Sequence, residues 1–126
     1  MQKKETPSYL RTHRLRGNVM QFALGAEDAE LRERAASSQT GRAAKTLVKE
    51  GPLRFTLVAL TKGAALRSHE VTGPVSIQSI RGCLRVTTDA GDVDVPAGSL
   101  VALDAGVAHS ARALDDCAAL VTAAIG

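Results

Sequence analysis

The chain has 126 residues, 44% hydrophobic and 23% charged, which fits one domain of ~100–150 residues with its own core. No apolar run approaches the ~18 residues of a membrane span, and the charged start (Lys3, Lys4, Glu5) lacks the apolar stretch of a secretion signal, so a cytoplasmic protein is expected. The net charge of +3 sits in residues 1–16, where five basic groups face Glu5; the rest holds 11 basic and 12 acidic groups and, with Tyr9, Phe22 and Phe55 as the only aromatics, argues against nucleic-acid binding.

Residues 1–25 are expected to form a basic, flexible extension, with Pro7 and Gly17 and no sustained periodicity, ahead of a domain over 26–126. The run 26–36 (AEDAELRERAA) is rich in helix formers and carries Glu27, Asp28 and Glu30 early, where anions suit the helix dipole. Its apolar face would be thin, made of Ala29, Leu31, Ala35 and Ala36. From residue 43 onward the texture becomes short apolar or alternating runs between turn residues. Strands are predicted at 43–49, 53–61, 75–80, 83–88, 92–95, 99–103, 107–114 and 117–125. Eight short strands at regular spacing after one helix indicate an all-β sandwich or barrel. Cys83 and Cys117 stand 34 positions apart in apolar runs, with no CxxC pair, and read as small buried hydrophobes.

Two segments carry a recognisable spacing. Residues 63–82 (GAALRSHEVTGPVSIQSIRG) follow G-x5-H-x-H-x3-E-x6-G at Gly63, His69 and Gly82. Residues 98–113 (GSLVALDAGVAHSARA) follow G-x5-P-x-G-x2-H-x3-N at Gly98, Gly106 and His109. In these two registers the chain resembles small single-domain cupins of the RmlC-like, conserved-barrel type. The resemblance implies a double-stranded β-helix, or jelly-roll barrel, with a short N-terminal helix, and a homodimer paired through edge strands, for which 43–49 would serve as an edge cover.

The departures from the cupin pattern fall on the chemistry. Metal-bearing cupins build their site from two histidines and a glutamate of the first motif and a histidine of the second. Here the second histidine position is Val71 and the glutamate position Val75, or Ser76 with a gap one longer; the motif proline is Asp104 and its asparagine Ala113. What remains is His69 and His109, which would hold a divalent zinc, iron or nickel ion weakly, because a catalytic metal usually keeps three or four protein ligands. Strand alternation puts Ile77 and Ser79 on the same side as 69, 71 and 75, and Glu70 and Gln78 on the other. The candidate pocket is therefore His69, Val71, Val75, Ile77 and His109. Asp104 lies in a turn and is expected to face water, and Arg67 is a candidate rim cation.

Other chemistries find less support. A histidine–tyrosine acid–base pair inside the barrel has only Tyr9 available, in the extension. The run 41–46 lacks the glycine before the lysine that a phosphate loop needs. Three functions stay open. One is a barrel that binds a small, largely apolar molecule as a sensor or accessory protein. Another is a metal-dependent enzyme of dioxygenase or isomerase type using His69 and His109. The last is a regulatory module whose basic tail contacts a partner. Two histidines in ordinary hydrogen bonds at a barrel mouth would be the plainest reading of the pair.

Overall fold

The computed structural model describes residues 19–69 and 72–125, apart from the side chains of 67–69. The helix-forming run becomes α1, Leu24–Ser37, preceded by Phe22 and followed by a turn that ends at Gly41, whose φ is +72°. Asp28, Leu31 and Ala35 form its buried stripe, at spacings of three and four. Ala29 and Ala36 are exposed, so the apolar face is narrower than expected, and an aspartate takes the third buried place.

Nine strands follow among the described residues: β1 (Arg42–Glu50), β2 (Leu53–Leu60), β3 (Ala65–His69), β4 (Val75–Arg81), β5 (Cys83–Thr88), β6 (Gly91–Pro96), β7 (Leu100–Leu103), β8 (His109–Ala113) and β9 (Cys117–Ala124). The eight expected strands are all present. The addition is β3, which lies wholly inside the first motif and has too few branched residues to read as a strand unaided. All pairings are antiparallel, in two sheets ordered β1-β2-β9-β4-β7 and β3-β8-β5-β6. Residues 43–49 lie in β1, which pairs with β2 and is an edge of the larger sheet.

The sheets face each other over one core, and α1 closes a second one against the outer face of β1 and β2. Between the sheets lie Val58, Leu60, Val75, Ile77, Leu84, Val86, Val95, Ala111, Ala113, Cys117, Ala119 and Ala123. Under the helix, Leu31 and Ala35 pack with Leu47, Val48, Leu57 and Ala59. Two register shifts make this double-sided packing possible. Between Thr46 and Val48 the β1–β2 pairing slips, so Leu47 and Val48 are both buried under the helix instead of alternating. Between Ser79 and Arg81 the β4–β9 pairing slips too. Ser79 stays inside, its Oγ donating to the Val95 carbonyl at 2.6 Å, while Ile80 joins the helix-side cluster and Arg81 reaches the helix.

That reach produces a buried ion pair. Arg81 Nε and Nη2 donate to Asp28 Oδ2 and Oδ1 at 2.8 and 3.1 Å, and Arg32 adds a third bond at 3.2 Å. Burial pushes the Asp28 carboxyl up, but the bonds from Arg81 and Arg32 outweigh it and hold Asp28 below its usual value near 3.8. Lys45 on β1 grips Glu27 and Glu30 of the same helix; these bonds keep its ammonium above its ordinary value against the opposing pull of burial. The acids of α1 thus do more than complement its dipole. They tie the helix to the barrel.

Candidate ligand-binding site

Pairing across strands shows which side chains share the interior face. Val75 lies opposite Leu103 and Ala123, and Ile77 opposite Val101 and Val121. On the facing sheet Ala111 lies between Leu66 and Val86, and Ala113 beside Leu84. The buried positions of β8 are His109, Ala111 and Ala113, so His109 belongs to this interior row. Val75 and Ile77 are 4% and 2% exposed and occupy the interior as expected, whereas Leu66, Val101, Leu103 and Val121 are only partly buried. These four were not singled out in the sequence, although the alternation of 99–103 (SLVAL) contains the signal for two of them.

The turn before β8 fixes the histidine. Gly106, at φ +78°, bends residues 104–107 so that Val107 N–H donates to the Asp104 carbonyl at 3.3 Å. Asp104 is exposed, and its Oδ1 accepts the Ala105 N–H at 2.8 Å, so it shapes the turn and faces water as expected. The turn aims the Val107 carbonyl at His109, 3.1 Å from Nδ1. A carbonyl only accepts, so Nδ1 carries the hydrogen, and in a neutral imidazole the lone pair lies on Nε2. His109 is 6% exposed.

His69 meets His109 through the backbone. The register runs Leu66↔Ala111 and then His69↔His109, with a shift between them. Without that shift Ser68 would stand opposite His109. A local irregularity in β3 therefore sets the backbone of His69 across from that of His109, a register that pairing continued from Leu66 would not have given. Val71 and Glu70 lie outside the described residues, as does the Arg67 side chain.

Among the described residues no three His, Cys, Asp or Glu side chains converge. The motif's glutamate position is Val75, packed into the core, and Ser76 points to the opposite face. The cysteines are free thiols: Cys117 is fully buried, and that burial pushes it up to about 11, which keeps it a protonated core residue, while Cys83 is half-buried. A recess of about 50 Å³ between α1 and the ends of β2 and β4 is too small for an organic ligand.

No protein-family model matches the chain, and no curated protein matches it. Solved structures do. A cupin superfamily protein from Desulfitobacterium hafniense superposes with a TM-score of 0.67 at 15% identity, over 73% of this chain and 87% of that one. The chain has the cupin fold. An RmlC-like cupin from Shewanella frigidimarina agrees (TM-score 0.64, 18% identity, 69% of this chain and 78% of the other). A salicylate 1,2-dioxygenase from Pseudaminobacter salicylatoxidans gives 0.67 at 14% identity over 79% of this chain and 33% of its own length. At these identities the likeness establishes the cupin barrel and leaves its chemistry to this chain's own residues.

Proposed function

We propose that this cupin barrel binds a small, largely apolar molecule between its sheets, as a sensor or accessory protein, in a cytoplasmic homodimer. The observation that carries the reading is the interior row itself: aliphatic side chains from both sheets with one held imidazole, His109. Such a site supplies transfer of apolar surface, worth ~25 cal/mol per Å² removed from water, and one directional polar contact. In support of a non-catalytic role, Val75 stands where a metal-binding cupin would place a carboxylate. The test is mass spectrometry of protein purified without chelator, under native and then denaturing conditions. An organic molecule released on denaturation, and reduced in Leu103→Trp, supports the reading. A protein that carries none, and that binds no member of a fragment library by ligand-observed NMR, refutes it.

One observation favours a second reading, a metal-dependent enzyme of dioxygenase or isomerase type. The backbone register places His69 across from His109. In that reading the two histidines hold zinc, iron or nickel as the ion's protein ligands, with a Lewis-acid role for the metal. Elemental analysis separates the readings: stoichiometric metal that is lost in His109→Ala favours the enzyme, and metal at trace level favours the binder.

A further inference from the structure

The inner face of the larger sheet changes character across its width. One row of side chains runs Lys49, Arg54, Ala123, Val75 and Leu103 from β1 to β7. In the row beside it Thr46 and Thr56 adjoin Val121. The face is therefore cationic and hydroxyl-bearing on β1 and β2, and aliphatic from β9 onward. Ala44 and Lys49 are exposed and Thr46, Arg54 and Thr56 half-buried, so the polar wing is accessible to solvent, whereas Ala123 and Val75 are buried.

Edge protection does not account for this wing. A lysine on an edge strand guards against pairing with another sheet, but Arg54 lies on β2, which is paired on both sides. Arg54 Nη1 donates to the Gly51 and Leu53 carbonyls, which anchors the guanidinium at the hairpin end, and its Nε and Nη2 make no hydrogen bond to the described residues. Neither Lys49 Nζ nor the hydroxyl of Thr46 or Thr56 makes one. Glu50, the acid beside Lys49, lies on the other face of β1, opposite Leu53. All four side chains can donate a hydrogen bond, two of them with a positive charge, and that is the chemistry of a carboxylate site. Val121 and Ala123 supply apolar surface one strand spacing away, about 5 Å.

Resting on the binding reading above, we infer that the ligand is an aliphatic carboxylate. Its head group accepts hydrogen bonds from Arg54 and Lys49, with Thr46 and Thr56 beside them, and its chain crosses Ala123 and Val121 toward Val75. A charged head at the accessible end of the face keeps part of its water, so the two cations offset its desolvation without full burial. A cationic head is repelled there, and a neutral one forgoes the charge-assisted bonds.

The experiment titrates octanoate, 1-octanol and octylammonium into the full chain, followed by ligand-observed NMR, with ¹³C-methyl spectra of the protein to locate the site. Octanoate is expected to bind about tenfold more tightly than octanol, the discrimination of charge-assisted hydrogen bonds, and octylammonium more weakly than either. In Arg54→Gln with Lys49→Gln the preference for octanoate should disappear while octanol binds as before, which also reports an intact interior. Arg54→Lys, which keeps the charge, should retain most of the preference. The methyl signals of Val121 and Val75 should move with octanoate. Octanol binding as tightly as octanoate, octanoate indifferent to the double substitution, or shifts confined to the basic residues 1–18 each overturn the inference and leave the binding reading standing. If none of the three probes binds, the inference falls, and the fragment screen described above then decides the binding reading.

Discussion

At the scale of single residues, Asp28 does what its position in the sequence conceals. It reads as an early-helix anion, and it is a buried acceptor of three guanidinium hydrogen bonds. Asp28→Ala would leave Arg81 half-buried beside an apolar gap, and is expected to lower stability by about 3 kcal/mol, the low end for breaking a buried pair because Arg81 keeps some access to water. Replacing both partners, Asp28→Leu with Arg81→Met, should recover most of that loss. The sign with pH follows from the lowered folded value of Asp28. Its contribution is complete above the usual carboxylate value near 3.8 and is lost as pH falls through the lower folded value. Urea melts should therefore show a gap between the unaltered protein and Asp28→Asn that is constant above about pH 5 and closes in acid. A gap that does not narrow as pH falls below 3.8 would remove the ion pair as its source.

Gly82 is the second residue where geometry explains a motif. It has φ +71°, and a Cβ there would stand 2.3 Å from the Asp116 carbonyl oxygen and 2.8 Å from Cys117 Cβ. The final glycine of the first motif thus lets β4 turn into β5 against the start of β9. Gly82→Ala is expected to cost more than ~1 kcal/mol, from the left-handed backbone and the clash together. Gly91→Ala, with nothing within 4 Å, should cost less than Gly82→Ala in the same thermal melts.

At the scale of elements, the helix and the irregular strands decide how the barrel is finished. Leu31 is fully buried between α1 and the β1–β2 hairpin, with Leu47, Val48, Leu57 and Ala59 around it. Leu31→Ala should destabilise by ~2–5 kcal/mol, read as a fall in denaturation midpoint with unchanged slope. If the slope also falls, the helix has detached and the folded state exposes the face of β1 and β2. The run 26–36 was legible as a helix from its composition, and the strands from their alternation and punctuation. The register shifts at 46/48, 66/69 and 79/81 were not legible. A bulge answers to the packing of a neighbouring element, here α1 for β1 and β4, and strand alternation alone carries no record of that.

At the scale of the molecule, two sheets leave four edges, β1, β7, β3 and β6, with Leu100 on β7 60% exposed and Val93 on β6 46% exposed. Open edges and exposed apolar side chains call for cover, and the proposed pairing of two chains would supply it. Light scattering at micromolar concentration should give twice the 13.2 kDa chain mass, and Leu100→Lys with Val93→Lys should shift it toward the monomer. A monomeric mass for the unaltered protein would remove the dimer from the proposed function.

The sequence by itself determined the all-β barrel, the leading helix and the two histidine motifs, because alternation, turn residues and motif spacing are local properties of a chain. Through the resemblance to cupins it also put Val75, or Ser76 with a gap one longer, at the position where metal-bearing cupins carry a glutamate. Tertiary structure decided the rest. It set the backbone of His69 across from that of His109 through an irregularity, turned the His109 ring with a carbonyl two residues away, and converted Asp28 from a dipole partner into an anchor. Each of these depends on what a distant segment brings alongside, and that is set by how two sheets and a helix pack around a common core.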